Sequence, residues 1–333
     1  MRNLILLLLF TGVTSLHAQL FPQLGDQRAG ISSLTFLKID VSPRSAALAS
    51  SNICLSGDAY ATFTNPATMV ENNTFTAGIA NTFWVAGINY AFASAIKPTK
   101  FGHLGISLNA LNSGAMEVRT TFQPQGTGEL FYANYYSAGL SYGQQLTDNF
   151  SYGVTGKYVR EQLAEFTANT FMVDLGFLYR LDVKELRFAV VVQNFGPDSR
   201  LRGSTERDSS FNSRDIVLED YPAPTLFKLG VSMVPYESPD KTQRITTSLQ
   251  LNHPNDNAEN IRFGVEYSYR SLLMIRAGYK INVDDQPYPT AGIGLRMRAG
   301  RHPLILDYAA DPTRHLGIIH RVGLALQLNP AER

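Results

Sequence analysis

Residues 261–270 read IRFGVEYSYR, and they place Ile261, Phe263, Val265, Tyr267 and Tyr269 on one parity against Arg262, Gly264, Glu266, Ser268 and Arg270 on the other. A period of two is that of a β-strand, and here one face is apolar and the other ionic or small. The pattern spreads both ways along the chain. HLGISLNAL alternates Leu104, Ile106, Leu108 and Ala110 with Gly105, Ser107 and Asn109. FSYGVTGKY sets Phe150, Tyr152, Val154 and Tyr158 against Ser151, Gly153, Thr155 and Lys157, and FMVDLGFLY sets five apolar residues from Phe171 to Tyr179 against Asp174 and Gly176. Towards the C-terminus the charges Arg276, Lys280, Arg296, Arg298 and Asp307 again keep to a single parity within their segments.

A soluble β-sandwich alternates too, burying its apolar faces between two sheets, so alternation alone does not decide. Number and spacing do. About fourteen such segments follow one another through short polar turns such as QLTDNF and NVDDQPY, with no helix-length segment between them. An up-and-down meander of this kind in a secreted chain predicts an all-β fold, a transmembrane antiparallel β-barrel of about 14 strands, because closing the sheet removes every unpaired backbone edge from lipid.

The composition agrees with that address. Met1–Ala18, MRNLILLLLFTGVTSLHA, has one basic residue, an apolar run and a small residue before Gln19, the layout of a signal peptide (residues 1–18). Charged residues make up 17% of the chain, below the roughly 25% usual in soluble domains, and aromatics 11%. Tyr and Phe in such numbers suit rings at a membrane interface. A net charge of +1 gives no electrostatic case for nucleic acid. The single Cys54 excludes an intramolecular disulfide and reads as a small packed residue.

Residues 19–72 break the pattern. Pro43 suits the first turn of a short helix capped by Ser42, Ser45 to Ala49 are small enough for a confined space, and Asn65-Pro66 reads as a turn. Phe36, Leu37 and Ile39 are too apolar to stay wet. The expectation is a small helical N-terminal plug (residues 19–72) folded into the lumen of a barrel formed by residues 73–329. Its site residues are Arg44, Asp58, Asn65 and Pro66, with Arg44 and Asp58 paired to the inward charges Arg262, Glu266, Arg270, Arg276, Lys280, Arg296 and Arg298. The charge-rich segment 196–223 reads as a long surface loop or a docking element.

Catalytic and metal-binding signals fail on inspection. GLSYG at 139–143 has the spacing of a nucleophile elbow, but Ser141 falls inside a strand pattern and not at a strand-to-helix turn. His103, His253, His302, His315 and His320 lack metal-ligand spacing, and no phosphate-cradling glycine loop occurs. No enzyme, cofactor or metal is expected.

The stretch FLKIDVSPRSAALASSNICLSGDAYATFTNPATM (residues 36–69) resembles the N-terminal signature of the PorV/PorQ family, relatives of the FadL fatty-acid porins: Phe-Leu, then an Arg followed by small residues, an Asp and Asn-Pro-Ala. GTGELFYANYYSAGLSYGQQLTDNFSYGVTGKYV, NFGPDSRL and HPNDNAENIRFGVEYSYRSLLMIRAGYKI extend the resemblance over most of residues 30–328. It departs from the family at Ala49-Ser50, where Gly-Gly is usual, so glycine-dependent packing is not expected from these two plug positions. The resemblance implies a plugged FadL-like barrel in the cell outer membrane serving type IX protein secretion. Its partners would be outer-membrane lipid, translocon or attachment-complex proteins, and the signal domains of secreted cargo. The alternative is a FadL-like channel for hydrophobic or small polar solutes.

Overall fold

The structure, a computed structural model, describes residues 30–55, 57–203 and 218–328. The expected signal peptide and the centre of the long loop lie outside them. Strand-forming segments run from Phe75 onward: β1 (Phe75–Phe83), β2 (Asn89–Thr99), β3 (Gly102–Asn112), β4 (Met116–Glu117), β5 (Leu130–Phe131), β6 (Ala133–Gln145), β7 (Phe150–Leu163) and β8 (Phe166–Arg180). They continue as β9 (Arg187–Phe195), β10 (Leu226–Glu237), β11 (Gln243–Pro254), β12 (Asn260–Tyr269), β13 (Leu273–Ile281), β14 (Thr290–Ala299), β15 (His302–Pro312) and β16 (Ile318–Leu328). Fourteen of these close into an antiparallel barrel, and the short β4–β5 pair forms a separate hairpin. Closure is made by β1 against β16, with Ile79 opposite Leu324 on one side and Ala93 of β2 on the other.

The two parities separate as the alternation requires. In β3, Leu104, Ile106 and Leu108 are exposed while Gly105, Ser107 and Asn109 are buried, and in β8 Phe171, Val173, Leu175, Phe177 and Tyr179 are exposed while Asp174 and Gly176 are buried. Apolar outside and small or polar inside is the inverse of a soluble protein, so the outer face is matched to hydrocarbon. Ser141 is buried in the middle of β6, sharing a 2.7 Å hydrogen bond with the Thr155 hydroxyl, and is no elbow. His320 points outward with its ring stacked on Tyr308 and Nδ1 2.7 Å from the phenol oxygen.

Connections sort by length. The connections that follow β3, β9 and β13 leave from one end of the barrel. Turns such as 100–101, 146–149 and 300–301 lie at the other, as do both ends of the barrel-forming chain. Outer-membrane barrels carry short periplasmic turns and longer extracellular loops, which orients this one with the long connections outside. The described flanks of the longest loop are tied down by an Arg200–Asp220 ion pair and by backbone bridges from Ser199 to Tyr221 and from Thr167 to Arg202.

One irregularity positions a charge. Between β8 and β9 the register shifts near Asp174, where Asn194 takes a left-handed φ of 58° and its N–H donates to the Asp174 carboxylate at 2.7 Å. That carboxylate also holds the ammonium of Lys157, 2.7 Å away and buried.

The outward parity yields a direct test. Ile106→Arg sets a guanidinium against hydrocarbon and is expected to destabilise the barrel by roughly 2–4 kcal/mol near the bilayer midplane. Ser107→Ala, one residue along, should change stability by less than about 1 kcal/mol. Urea unfolding in lipid vesicles, followed by the heat-modifiable gel shift, reads both; equal effects would contradict the assigned faces.

Candidate functional site

Residues 30–55 and 57–72 occupy the lumen, with four short helical pieces among them: a 3-10 turn (Thr35–Lys38), α1 (Pro43–Ala47), α2 (Ala61–Thr64) and a second 3-10 segment (Pro66–Glu71). Local sequence sets each start. The Ser42 hydroxyl accepts from the Ser45 N–H at 3.2 Å with Pro43 in the first turn, and the Asn65 side chain accepts from the Ala67 N–H at 3.0 Å with Pro66 following. The Asn65 amide also donates to the Ile53 carbonyl at 2.8 Å, joining two plug segments.

α1 stops earlier than the small-residue run implies. Ala49 and Ser50 turn the chain back with φ of 55° and 60°, a conformation costing about 1–2 kcal/mol per non-glycine residue. These are the positions where the resembled family carries glycines. The glycines that permit close packing stand in the wall. A Cβ on Gly278 of β13 would fall on the Leu48–Ala49 peptide, and one on Gly153 of β7 would fall on the Pro66–Ala67 peptide. The plug backbone is thus seated against the barrel backbone on two sides.

Charge fixes its orientation. Arg44 grips Glu266 with two bonds, Nη2 to Oε1 at 2.8 Å and Nε to Oε2 at 3.0 Å. Arg276 donates to Glu266 at 2.6 Å and to Asp307 at 2.5 Å. Asp58 accepts from the Tyr60 N–H at 2.8 Å through Oδ1, while its Oδ2 is buried without a hydrogen-bond partner. Burial pulls the Arg44 guanidinium down, but Glu266 and Asp58 together outweigh it and hold it above its ordinary range. Burial raises the Asp58 carboxyl to about 6 against the opposing pull of Arg44. Asp58, Glu266 and Asp307 share this end of the lumen with Arg44, Arg276 and Arg296.

Of the other expected lumen charges, Lys280 pairs with Asp311 at 3.0 Å, and Arg321, which sequence reading missed, reaches the same carboxylate at 3.4 Å. Arg321 Nε also donates to the plug carbonyl of Asp40 at 3.0 Å. Arg262 is partly buried beside Asn260. Arg296 lines the periplasmic mouth. Arg298 is exposed near the 300–301 turn, and Arg270 lies past the end of β12 in an exposed turn with its guanidinium over the Tyr269 ring, so neither joins the cluster. Alternation carried past a strand end no longer reports facing. Further plug anchors are Lys38 to Asp256 at 2.6 Å, and Glu71 to Arg187 at 2.9 Å and to Arg180 at 3.1 Å.

Apolar contact completes the seat. Leu34, Phe36, Leu37, Val41 and Tyr60 of the plug pack on Tyr90, Phe92, Leu111, Val159 and Met172 of the inner wall. Tyr60 reaches the Ile79 carbonyl with its hydroxyl at 2.9 Å. Cys54 is buried with Ile53 against Leu178, Ala189 and Val191, and burial pushes its thiol up to about 12, which suits a packing residue.

The plug divides the lumen. A cavity of about 220 Å³ opens between Lys38, Asp40, Asn52, Lys228, Arg262 and Asp285 on the loop side, and another of about 300 Å³ between Arg44, Asp58, Glu266, Arg276 and Arg296 on the periplasmic side. A depression of about 1000 Å³ lies outside the lumen, over Ala91, Ala93, Ala110 and Ala138 on the lipid-facing surface. Among the described residues no group of three or more His, Cys, Asp or Glu side chains is placed to hold a metal ion.

No protein-family profile matches the chain, and no curated protein matches its sequence. Solved structures do match. The CymD monoaromatic hydrocarbon channel aligns over 88% of this chain and 98% of its own, at 12% identity and a TM-score of 0.56. The toluene transporter TodX of Pseudomonas putida aligns over 92% and 98%, at 12% identity and a TM-score of 0.54. A FadL homologue of Pseudomonas aeruginosa aligns over 86% and 97%, at 9% identity and a TM-score of 0.50.

The raised carboxyl yields a pH test. Because folded Asp58 binds its proton more tightly than the unfolded chain does, this group lowers stability as pH rises from about 4 through 6. Asp58→Asn is expected to melt above wild type at pH 7.5, and that difference should shrink towards zero by pH 4. A difference independent of pH would mean that the carboxyl is ionised throughout. By architecture the chain is a plugged 14-stranded antiparallel barrel of the outer membrane, similar in fold to the FadL-type barrels of known structure.

Proposed function

We propose that the protein is a gated outer-membrane channel for small hydrophobic solutes, with the N-terminal segment as its gate. The observation that carries this reading is the apolar inner wall formed by Tyr90, Phe92, Leu111, Val159 and Met172. Water-filled porins have polar interiors, whereas this wall is apolar over one side of the lumen and is covered by Phe36, Leu37 and Val41 of the plug. Displacing those side chains leaves an apolar lining, and withdrawal of the whole plug would also break the Arg44–Glu266 contact at the periplasmic cavity. The fold neighbours CymD and TodX, described as a monoaromatic hydrocarbon channel and a toluene transporter, support a solute of that class.

A second reading is the type IX secretion component that the N-terminal resemblance implies. The observation favouring it is the occupied lumen: the plug packs on the wall along its apolar side, and the longest connections gather at one end, as in a body that docks proteins.

Uptake separates the two. In proteoliposomes the wild-type protein is expected to admit toluene faster than empty vesicles do, and Arg44→Ala, which frees the plug while Arg276 still compensates Glu266, should raise the rate several-fold. Uptake at the empty-vesicle rate for both proteins, together with translocon proteins co-purifying from native outer membranes, would favour the second reading over the first.

A further inference from the structure

Two cations inside the barrel make no ion pair with any of the described residues. Lys228 on β10 is 9% exposed, and Arg262 on β12 is partly buried; both line the 220 Å³ cavity on the loop side. Every other deep cation of the lumen meets a carboxylate: Arg44 and Arg276 meet Glu266, Lys157 meets Asp174, Lys280 and Arg321 meet Asp311. Among the described residues no carboxylate lies within ion-pair distance of Lys228 or Arg262. Arg262 Nε donates to the neutral Asn260 amide at 2.8 Å, and the Lys228 ammonium makes no hydrogen bond to the described residues. The register explains why. Lys228 faces Asn252 of β11, and Asn252 faces Asn260 of β12, so the wall between the two cations presents amides.

Of the carboxylates that line the same cavity, Asp40 acts on both cations through space but makes an ion pair with neither, and the other two lie at the mouth. The Asp40 carboxylate accepts from the Ser42 N–H at 3.1 Å and from the Ser45 hydroxyl. Asp284 and Asp285 stand on the exposed turn after β13, at the mouth. A buried ammonium beside a guanidinium, with amides in contact and the nearest carboxylate of the cavity, Asp40, beyond ion-pair reach, is stabilised by an anion placed between the two cations. The cavity has the room and opens towards the outside of the cell.

We infer that this cavity binds a small oxyanion, a carboxylate or a phosphate, held between Lys228 and Arg262 with amide donors from Asn52, Asn257 and Asn260 around it. The site stands on unpaired charge and cavity geometry, independently of whether the barrel carries hydrophobic solutes. It makes the external vestibule a recognition site for a polar anion, separated by the plug from the periplasmic cavity.

The test uses the purified full-length protein in detergent, titrated with acetate and with inorganic phosphate at an ionic strength held constant with sodium chloride. Thermal unfolding and titration calorimetry are the readouts. At least one oxyanion should bind saturably and raise the melting temperature above the chloride control, and the stronger of the two assigns the site to carboxylate or to phosphate. Lys228→Met and Arg262→Gln should each weaken that binding about tenfold, the loss expected for one charge-assisted hydrogen bond. Arg270→Gln, in the exposed turn, should leave it unchanged. The heat-modifiable gel shift confirms that each variant is folded, and having two variants keeps the result readable if one fails to assemble. No saturable effect of either oxyanion, or an equal effect in the folded Lys228 or Arg262 variant, overturns the inference.

Discussion

A barrel sealed by its own N-terminal segment must neutralise every inward charge with something inside the lumen, and this constraint organises the molecule. Lipid surrounds the outer face, so a guanidinium on the inner face can meet only another wall residue, the plug or a bound solute. Glu266 is the pivot. It receives Arg44 from the plug and Arg276 from the adjacent strand, and Arg276 extends the chain of contacts to Asp307. Buried ion pairs of this kind add little net stability, since desolvation offsets attraction, but removing one member is costly. The cluster therefore acts as a register device. It tells the plug where to sit.

Backbone contact makes that register tight. Where the wall presents Gly278 and Gly153, the plug peptides at 48–49 and 66–67 lie directly on the sheet, and no side chain of any size fits between them. Small residues do this work on both partners: Ala46 and Ala47 of α1 pack against Ala309 of β15, and the Thr290 hydroxyl donates to the Ala47 carbonyl at 2.9 Å. Ala49 and Ser50 bear left-handed backbone angles to reach this seat. The plug is held by geometry and charge together, with an apolar half to one side and an ionic half to the other.

Much of this was legible in the sequence, and the failures have physical causes. Period-two alternation at 104–110, 150–158, 171–179 and 261–269 marked the strands and their lipid faces, because each strand has two chemically unlike environments. Ser42-Pro43 and Asn65-Pro66 marked the plug's helical starts through capping chemistry. The apolar inner wall was invisible: Tyr90, Phe92, Val159 and Leu178 sit on the parity that in a water-filled barrel would be polar, and only the plug packed against them explains their character. Lys228 was missed because its apolar neighbours dominate the segment. Arg270 keeps the lumen parity on paper but lies past the end of β12, and Arg298, still within β14 opposite Pro303, stands at the exposed periplasmic end of the strand.

Occupation of the lumen by the N-terminal segment is tested most directly by a disulfide trap. Ala47 of the plug and Ala309 of β15 are both buried and in contact. In a Cys54→Ser background, Ala47→Cys with Ala309→Cys should form a cross-link under mild oxidation in native outer membranes, detected as a reduction-sensitive gel shift. If the folded barrel yields no cross-link, while a control pair placed on the neighbouring strands β1 and β16 does, the segment lies elsewhere and the plugged-lumen account is contradicted.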